Sequence, residues 1–266
     1  MKTLLATLGA LLLAACLAHR AFPQMMGSGR AALPRKPLPP GLKAPQVRFE
    51  DLAAKAGLTG VNVSGSDKQQ MYIVENTGNG VAAFDYDNDG LVDLFFVNAD
   101  RFDRTGAAPT HFLYHNLGGL RFEDVTAKSG ITHNDWGQGV CAGDVDNDGR
   151  VDLFVTAWGR NVLWRNQGDG TFRDETQARG LAAPKRWSTG CAFLDYDRDG
   201  NLDLFVAHYL DFDPAKVPKP GDRGQCVWKG FAVVCGPMGL PPETMSLYHH
   251  DGGGRFTEVT ERAGIK

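Results

Sequence analysis

One nine-residue pattern, D-x-D-x-D-G-x-x-D, occurs three times in the chain and constrains it more than anything else. The copies are Asp85-Tyr86-Asp87-Asn88-Asp89-Gly90-Leu91-Val92-Asp93, Asp144-Val145-Asp146-Asn147-Asp148-Gly149-Arg150-Val151-Asp152 and Asp195-Tyr196-Asp197-Arg198-Asp199-Gly200-Asn201-Leu202-Asp203. A short apolar run stands on each side of every copy: Val81 to Phe84 and Leu94 to Val97, Val140 to Gly143 and Leu153 to Thr156, Cys191 to Leu194 and Leu204 to Ala207. Each unit therefore reads as strand, acidic loop, strand.

Two further elements complete the unit. Leu113-Tyr114-His115-Asn116, Leu163-Trp164-Arg165-Asn166 and Leu247-Tyr248-His249-His250 each precede a Gly-rich turn. A segment beginning with Phe and ending Gly-Ile or Gly-Leu follows at Phe122 to Ile131, Phe172 to Leu181 and Phe256 to Ile265. Four short strands in roughly 45 residues match a propeller blade. No stretch sustains helical periodicity, which excludes a helical solenoid. The expected fold is all-β: a partial β-propeller of three complete four-stranded blades. A fourth Phe segment, Phe49 to Leu58, has no blade of its own and reads as an orphan N-terminal strand, loosely placed. Since a closed ring needs at least four blades, the chain reads as the N-terminal portion of a longer wheel. Insertions at Ala99 to Pro109 and Asp211 to Met245 lie between strands, where binding surfaces form.

Residues 1–21 read as an export signal, with basic Lys2 and an apolar run from Leu4 to Ala15 too short to span a bilayer. Leu13-Ala14-Ala15-Cys16 resembles the bacterial lipobox, in which Cys16 carries lipid and attaches the protein to a membrane; the alternative is an ordinary signal cut near Ala21. Residues 22–46, rich in Pro, form a linker, and residues 47–266 the propeller portion. The protein is expected in the cell envelope or secreted. A net charge of -3 gives no sign of a nucleic-acid partner, and the three loops hold twelve of the 31 acidic residues.

A hard cation with six to eight oxygen ligands suits such loops. The expected calcium ligands are Asp85, Asp87, Asp89, the Leu91 carbonyl and Asp93; Asp144, Asp146, Asp148, the Arg150 carbonyl and Asp152; and Asp195, Asp197, Asp199, the Asn201 carbonyl and Asp203. Arg150 and Arg198 are expected not to spoil the sites, because neither position donates a side chain. These are not EF-hands, because Phe96, Val155 and Val206 stand where a bidentate Glu belongs and a strand follows. Three calcium ions of modest affinity, on the order of 10⁻⁴ to 10⁻³ M, are expected.

Cys226 and Cys235 bracket a short apolar segment in the second insertion and suit a disulfide in an exported protein. Cys141 and Cys191 align one residue apart in their repeats, which puts them on opposite sheet faces and predicts two buried thiols. The histidines, His249 and His250 among them, read as strand residues, and the five Trp as packing. No Ser-His-Asp set, nucleophile elbow or phosphate loop is present.

The acidic loops, the Asn166 to Phe172 turn (Asn-x-Gly-Asp-Gly-Thr-Phe), the Cys226…Cys235-Gly236-Pro237 insertion and the lead-in Tyr72-Ile73-Val74-Glu75 together resemble the FG-GAP/VCBS-repeat family. Within it they resemble the cartilage-acidic-protein-like group, which usually ends in an ASPIC/UnbV domain. The resemblance implies a seven-bladed propeller with structural calcium, secreted or surface-attached, that binds an extracellular protein or glycan. This sequence departs from it in having fewer repeats, and in Asn116-Leu117-Gly118-Gly119-Leu120 where the turn usually carries Gly-Asp-Gly. A second expectation from another class is an exported polysaccharide-active enzyme, its site on residues 211–245 with Asp211, Asp213, Asp222 and Glu243 as acids.

Overall fold

The computed structural model describes residues 41–43, 47–103, 110–132, 135–222 and 226–265. Asp51–Lys266 forms one compact unit. Blade 1 contains β1 (Val81–Phe84), β2 (Asp93–Phe96), β3 (Phe112–Asn116) and β4 (Phe122–Asp124), paired antiparallel in that order. Blade 2 contains β5 (Trp136–Gly143), β6 (Asp152–Gly159), β7 (Val162–Asn166) and β8 (Phe172–Asp174). Blade 3 contains β9 (Arg186–Leu194) and β10 (Asp203–His208), then the insertion with the small hairpin β11 (Val227–Trp228) and β12 (Phe231–Ala232), then β13 (Ser246–His250) and β14 (Phe256–Glu258). This is the expected all-β partial propeller. Among the described residues no helix is long and apolar enough to cross a membrane. The signal, Cys16 and most of the linker lie outside the described residues.

Each blade is closed by the same local device. After the fourth strand, Thr126, Thr176 or Thr260 turns its Oγ1 back and accepts the amide of Leu113, Leu163 or Leu247 at 2.9–3.0 Å. The turn ends on a glycine with positive φ: Gly130 at 74°, Gly180 at 79°, Gly264 at 72°. At Gly180 a Cβ would stand 2.6 Å from the Phe256 carbonyl of the next blade, so the residue must lack one.

Blades stack through alternating strand faces. Phe95, Val97 and Leu113 of blade 1 meet Leu153, Val155 and Trp164 of blade 2 in one buried cluster. Phe154 and Leu163, from the other face of blade 2, meet Leu204, Val206 and Tyr248 of blade 3 in a second. This arrangement corrects the expectation for Cys141 and Cys191. They do lie on opposite faces of their own sheets, but neighbouring blades present opposite faces to each other. Cys141 points forward and Cys191 points back, and they form a disulfide with Cα atoms 5.7 Å apart. The Cys226–Cys235 disulfide is present as expected, around the hairpin of β11 and β12, with Cα atoms 5.0 Å apart.

Two other expectations are corrected. Residues 47–50 form no strand. The second half of that segment instead forms a turn whose Ala56 carbonyl accepts the Phe122 amide at 2.8 Å, as the Arg179 carbonyl accepts that of Phe256. A lone strand has no ladder to join, whereas the turn has a blade edge to dock on. The inner strands β5, β6 and β9 also run three to five residues beyond their apolar runs. Trp158 pairs with Trp187 and Gly159 with Arg186, which joins blades 2 and 3 into one continuous sheet.

Candidate metal centres

The three acidic loops share one geometry, and each Asp has a separate task. The first Asp of each loop accepts two backbone amides: Asp89 and Gly90 donate to Asp85, Asp148 and Gly149 to Asp144, Asp199 and Gly200 to Asp195, at 2.7–3.2 Å. The third Asp accepts the amide two residues on, so Leu91, Arg150 and Asn201 reach Asp89, Asp148 and Asp199 through their N–H groups at 2.8–3.0 Å. The last Asp (Asp93, Asp152, Asp203) is fully buried at the first residue of the second strand. One of its oxygens takes the amide of Tyr86, Val145 or Tyr196 at 3.0–3.2 Å; the other takes the amide of Asn116, Asn166 or His250 at 2.7–2.8 Å. It therefore ties the loop to the third strand.

The turn itself needs two residues with positive φ. Gly90, Gly149 and Gly200 supply one, at 84–89°. Asn88 (60°), Asn147 (56°) and Arg198 (65°) supply the other. Asn tolerates this region and Arg does so at a cost. Asn88 Nδ2 also donates to the Gly149 carbonyl at 3.1 Å and Asn147 Nδ2 to that of Gly200 at 3.5 Å, so the loops of successive blades lie side by side.

The amides leave the second Asp of each loop, and one oxygen of the third, directed elsewhere. The structure shows where. Carboxylate oxygens of Asp85, Asp87 and Asp89 lie within 4.8 Å of one another, as do those of Asp144, Asp146 and Asp152, and of Asp195, Asp197 and Asp203. Each group is close enough to hold one metal ion. A residue from the third strand also enters each group, which the loop motif alone does not reveal. In blade 1 it is His115, whose Nδ1 lies 3.3 Å from Asp87 and 3.4 Å from Asp93. In blade 3 it is His249, 3.4 Å from Asp197 and 3.2 Å from Asp203. In blade 2 it is Arg165, which binds Asp146 through two nitrogens at 2.8 and 2.9 Å, Asp152 at 2.9 Å, and also Asp148. Arg150 donates no ligand, but its guanidinium turns back onto Asp148, so the arginine at this position does bear on the loop.

Electrostatics follow this difference. Burial alone would lower the Arg165 guanidinium, but Asp148, Asp152 and Asp146 outweigh it and raise its pKa. Burial raises the Asp148 carboxyl, yet hydrogen bonds from Arg165 and the Arg150 amide hold it below the ordinary range. In blade 1, burial raises Asp93 against the Tyr86 and Asn116 amides, and burial with the nearby Asp87 pushes the Tyr86 hydroxyl up to about 12.

A model of the FG-GAP-like repeat matches residues 85–155 and 144–206, which span all three loops. The likeness is to FG-GAP-like repeats and covers less than half of the chain. It is 33% identical to human cartilage acidic protein 1 over 91 residues, covering 34% of this chain and 14% of that protein. The mouse protein matches equally, and the Xenopus tropicalis protein is 28% identical over 142 residues, covering 50% of this chain and 21% of that one. The chain thus spans about a fifth or less of the length of the curated relatives it matches.

Proposed function

We propose that this chain is part of an exported binding module, a calcium-stiffened propeller whose ligand is a glycan or an extracellular protein. The observation that carries the binding role is a cleft of about 410 Å³ where the second insertion meets the tryptophan ends of the inner strands. Trp136, Trp158, Trp187 and Phe212 line it together with Asp211 and Glu243. Two buried polar atoms at this cleft have no partner among the described residues, the Trp136 indole N–H and Glu243 Oε2. Aromatic walls beside one spare donor and one spare acceptor suit a ligand with hydroxyl groups, which favours a glycan. The same insertion carries a disulfide-closed hairpin with exposed Trp228 and Phe231, a surface suited to a protein.

Calcium fits the chemistry of the loops in blades 1 and 3. Asp85, Asp87, Asp89 and Asp93 would hold it in one, Asp195, Asp197, Asp199 and Asp203 in the other, with the Leu91 and Asn201 carbonyls as further oxygens. The ion would neutralise clustered carboxylates and so stiffen each blade. Export is supported by the two disulfides, which form in oxidising compartments, and by relatives named for cartilage. The signal at residues 1–21 and a lipid on Cys16 belong to the same proposal.

Two measurements test it. A glycan array probed with the full chain in calcium should give hits that Asp211→Asn and Glu243→Gln weaken at least tenfold; hits untouched by both changes would remove the cleft from the reading. Chelation should lower the melting temperature and speed proteolysis at the loops of blades 1 and 3, and unchanged values would remove calcium.

The FG-GAP-repeat relatives are in general not enzymes. One observation favours the alternative, a polysaccharide-active enzyme. Burial raises the Glu243 carboxyl, Arg186 works against this, and Asp211 adds to it. Two carboxyls in one cleft, one of them raised by burial, are the kind of pairing glycoside hydrolysis uses. Product release from a polysaccharide panel, abolished by Glu243→Gln, would establish it.

A further inference from the structure

We propose that the acidic loop of blade 2 takes no calcium, because Arg165 is its built-in cation, so that the chain binds two ions where its three motifs suggest three. The inference rests on the calcium reading for blades 1 and 3 and concerns what separates blade 2 from them.

The three loops agree in every backbone bond, so the motif does not distinguish them. The third strand does. β7 pairs with β6 so that Leu153 faces Trp164, which sets Arg165 beside the buried Asp152. From there the planar guanidinium meets both oxygens of Asp146, one of Asp148 and one of Asp152. These are the carboxylates a calcium ion would need. A guanidinium offers five donors and accepts nothing, so it satisfies the oxygens and supplies no ligand in return.

Arg165 has little room to leave. It is 6% exposed, and its Nη1 also donates to the Asn166 carbonyl at 2.9 Å. Two more guanidiniums reinforce it: Arg179 Nη2 lies 3.2 Å from Asp146, and Arg150 pairs with Asp148. Three of the four loop carboxylates of blade 2, Asp146, Asp148 and Asp152, therefore meet the guanidiniums of Arg165, Arg179 and Arg150. A divalent ion would have to displace one of them and then sit beside the other two. In blades 1 and 3 the matching residue is His115 or His249, a smaller ring that makes only two contacts of 3.2–3.4 Å with the loop carboxylates and is of a type that can itself serve as a metal ligand. The consequence is a central blade, disulfide-linked to blade 3, whose loop is ordered at any calcium level, flanked by two blades whose loops respond to calcium.

The test is ion stoichiometry on the full chain, by native mass spectrometry and calorimetric titration with calcium chloride. Two ions per chain are expected for the wild type, and three for Arg165→His, which installs the residue of the other blades. Circular dichroism would confirm that the variant is folded. A second pair avoids reliance on that variant: Asp146→Asn should leave the count at two, and Asp87→Asn should lower it to one. Three ions in the wild type, a folded Arg165→His that still binds two, or an ion lost on Asp146→Asn would each overturn the inference while leaving calcium in the other blades. No uptake by any of these proteins would overturn the calcium reading and this inference with it.

Discussion

His208 gives the sharpest prediction about stability, because burial and Arg186 both oppose its charged form. It lies at the end of β10, 6% exposed, between two serines. Ser188 Oγ is 3.0 Å from Nδ1 and Ser246 Oγ is 3.0 Å from Nε2. Asn161 Nδ2 already donates to Ser188 Oγ at 3.0 Å, so the serine proton is free to point at Nδ1. That arrangement suits a neutral ring whose Nδ1 accepts from Ser188 and whose Nε2–H donates to Ser246. A second proton on Nδ1 would require the Ser188 hydroxyl to turn away and would put a charge in a buried site, with Arg186 close enough to oppose it. Burial first, and Arg186 second, lower the imidazole from 6.5 to about 4. The folded state thus binds the proton less tightly than the unfolded chain. The stabilisation is complete above pH 6.5 and is lost as pH falls through 4. The shift corresponds to about 3 kcal/mol at the acid limit, of which about 2 kcal/mol is lost by pH 5. Urea unfolding at pH 7.5 and pH 5, at one fixed calcium concentration, measures it for the wild type and for His208→Gln. The variant should be weaker at pH 7.5, having lost a hydrogen bond. Its stability should also fall by about 2 kcal/mol less than that of the wild type between the two pH values. Carboxylates and the other histidines titrate in both proteins and cancel for sites that do not couple. Equal losses in the two proteins would refute the assignment of a buried neutral His208.

The Cys141–Cys191 bridge closes 50 residues, so Cys141→Ser with Cys191→Ser should cost up to about 4 kcal/mol by the chain-entropy argument; an unchanged urea midpoint would show that the bridge does not form. Arg198→Asn places at φ 65° the residue that blades 1 and 2 use there, and about 1 kcal/mol of added stability is expected; no gain in melting temperature would remove the strain argument. Gly180→Ala forces a Cβ within 2.6 Å of the Phe256 carbonyl, whereas Gly264→Ala, at a similar φ, meets nothing within 4 Å. Both should destabilise by about 1 kcal/mol for the left-handed backbone, with a further loss at Gly180 alone. Equal losses would mean that the turn does not bear on the next blade.

What the sequence made legible was whatever depends on one segment, and what it concealed was whatever depends on how segments meet. The Asp spacing and its glycine define a turn wherever they occur, so the loops, their flanking strands and the Cys226–Cys235 hairpin follow from local pattern. Cys141 and Cys191 do not: their one-residue offset places them on opposite faces, and the sheet-to-sheet stacking that makes opposite faces meet is absent from either segment alone. The inner-strand extensions escaped for a related reason. Trp136, Trp158 and Trp187 carry no alternating pattern, since they are buried by a neighbouring blade and by the insertion rather than by their own sheet. Arg165 is the most telling case, because its signal was present. His115, Arg165 and His249 occupy one aligned position, a single residue before the group whose amide holds the last Asp of the loop. Once the second and third strands pair, that position must face the acidic loop, whatever residue stands there. The acidic motif therefore specifies a place for a cation, and the third strand decides whether an ion or a side chain provides it. A loop of this kind cannot be read for metal content without the strand thirteen residues beyond its last Asp in blade 2, twenty-two in blade 1 and forty-six in blade 3. That distance varies with the insertion between the strands, which is why a motif of fixed length does not capture the residue on which the metal content depends.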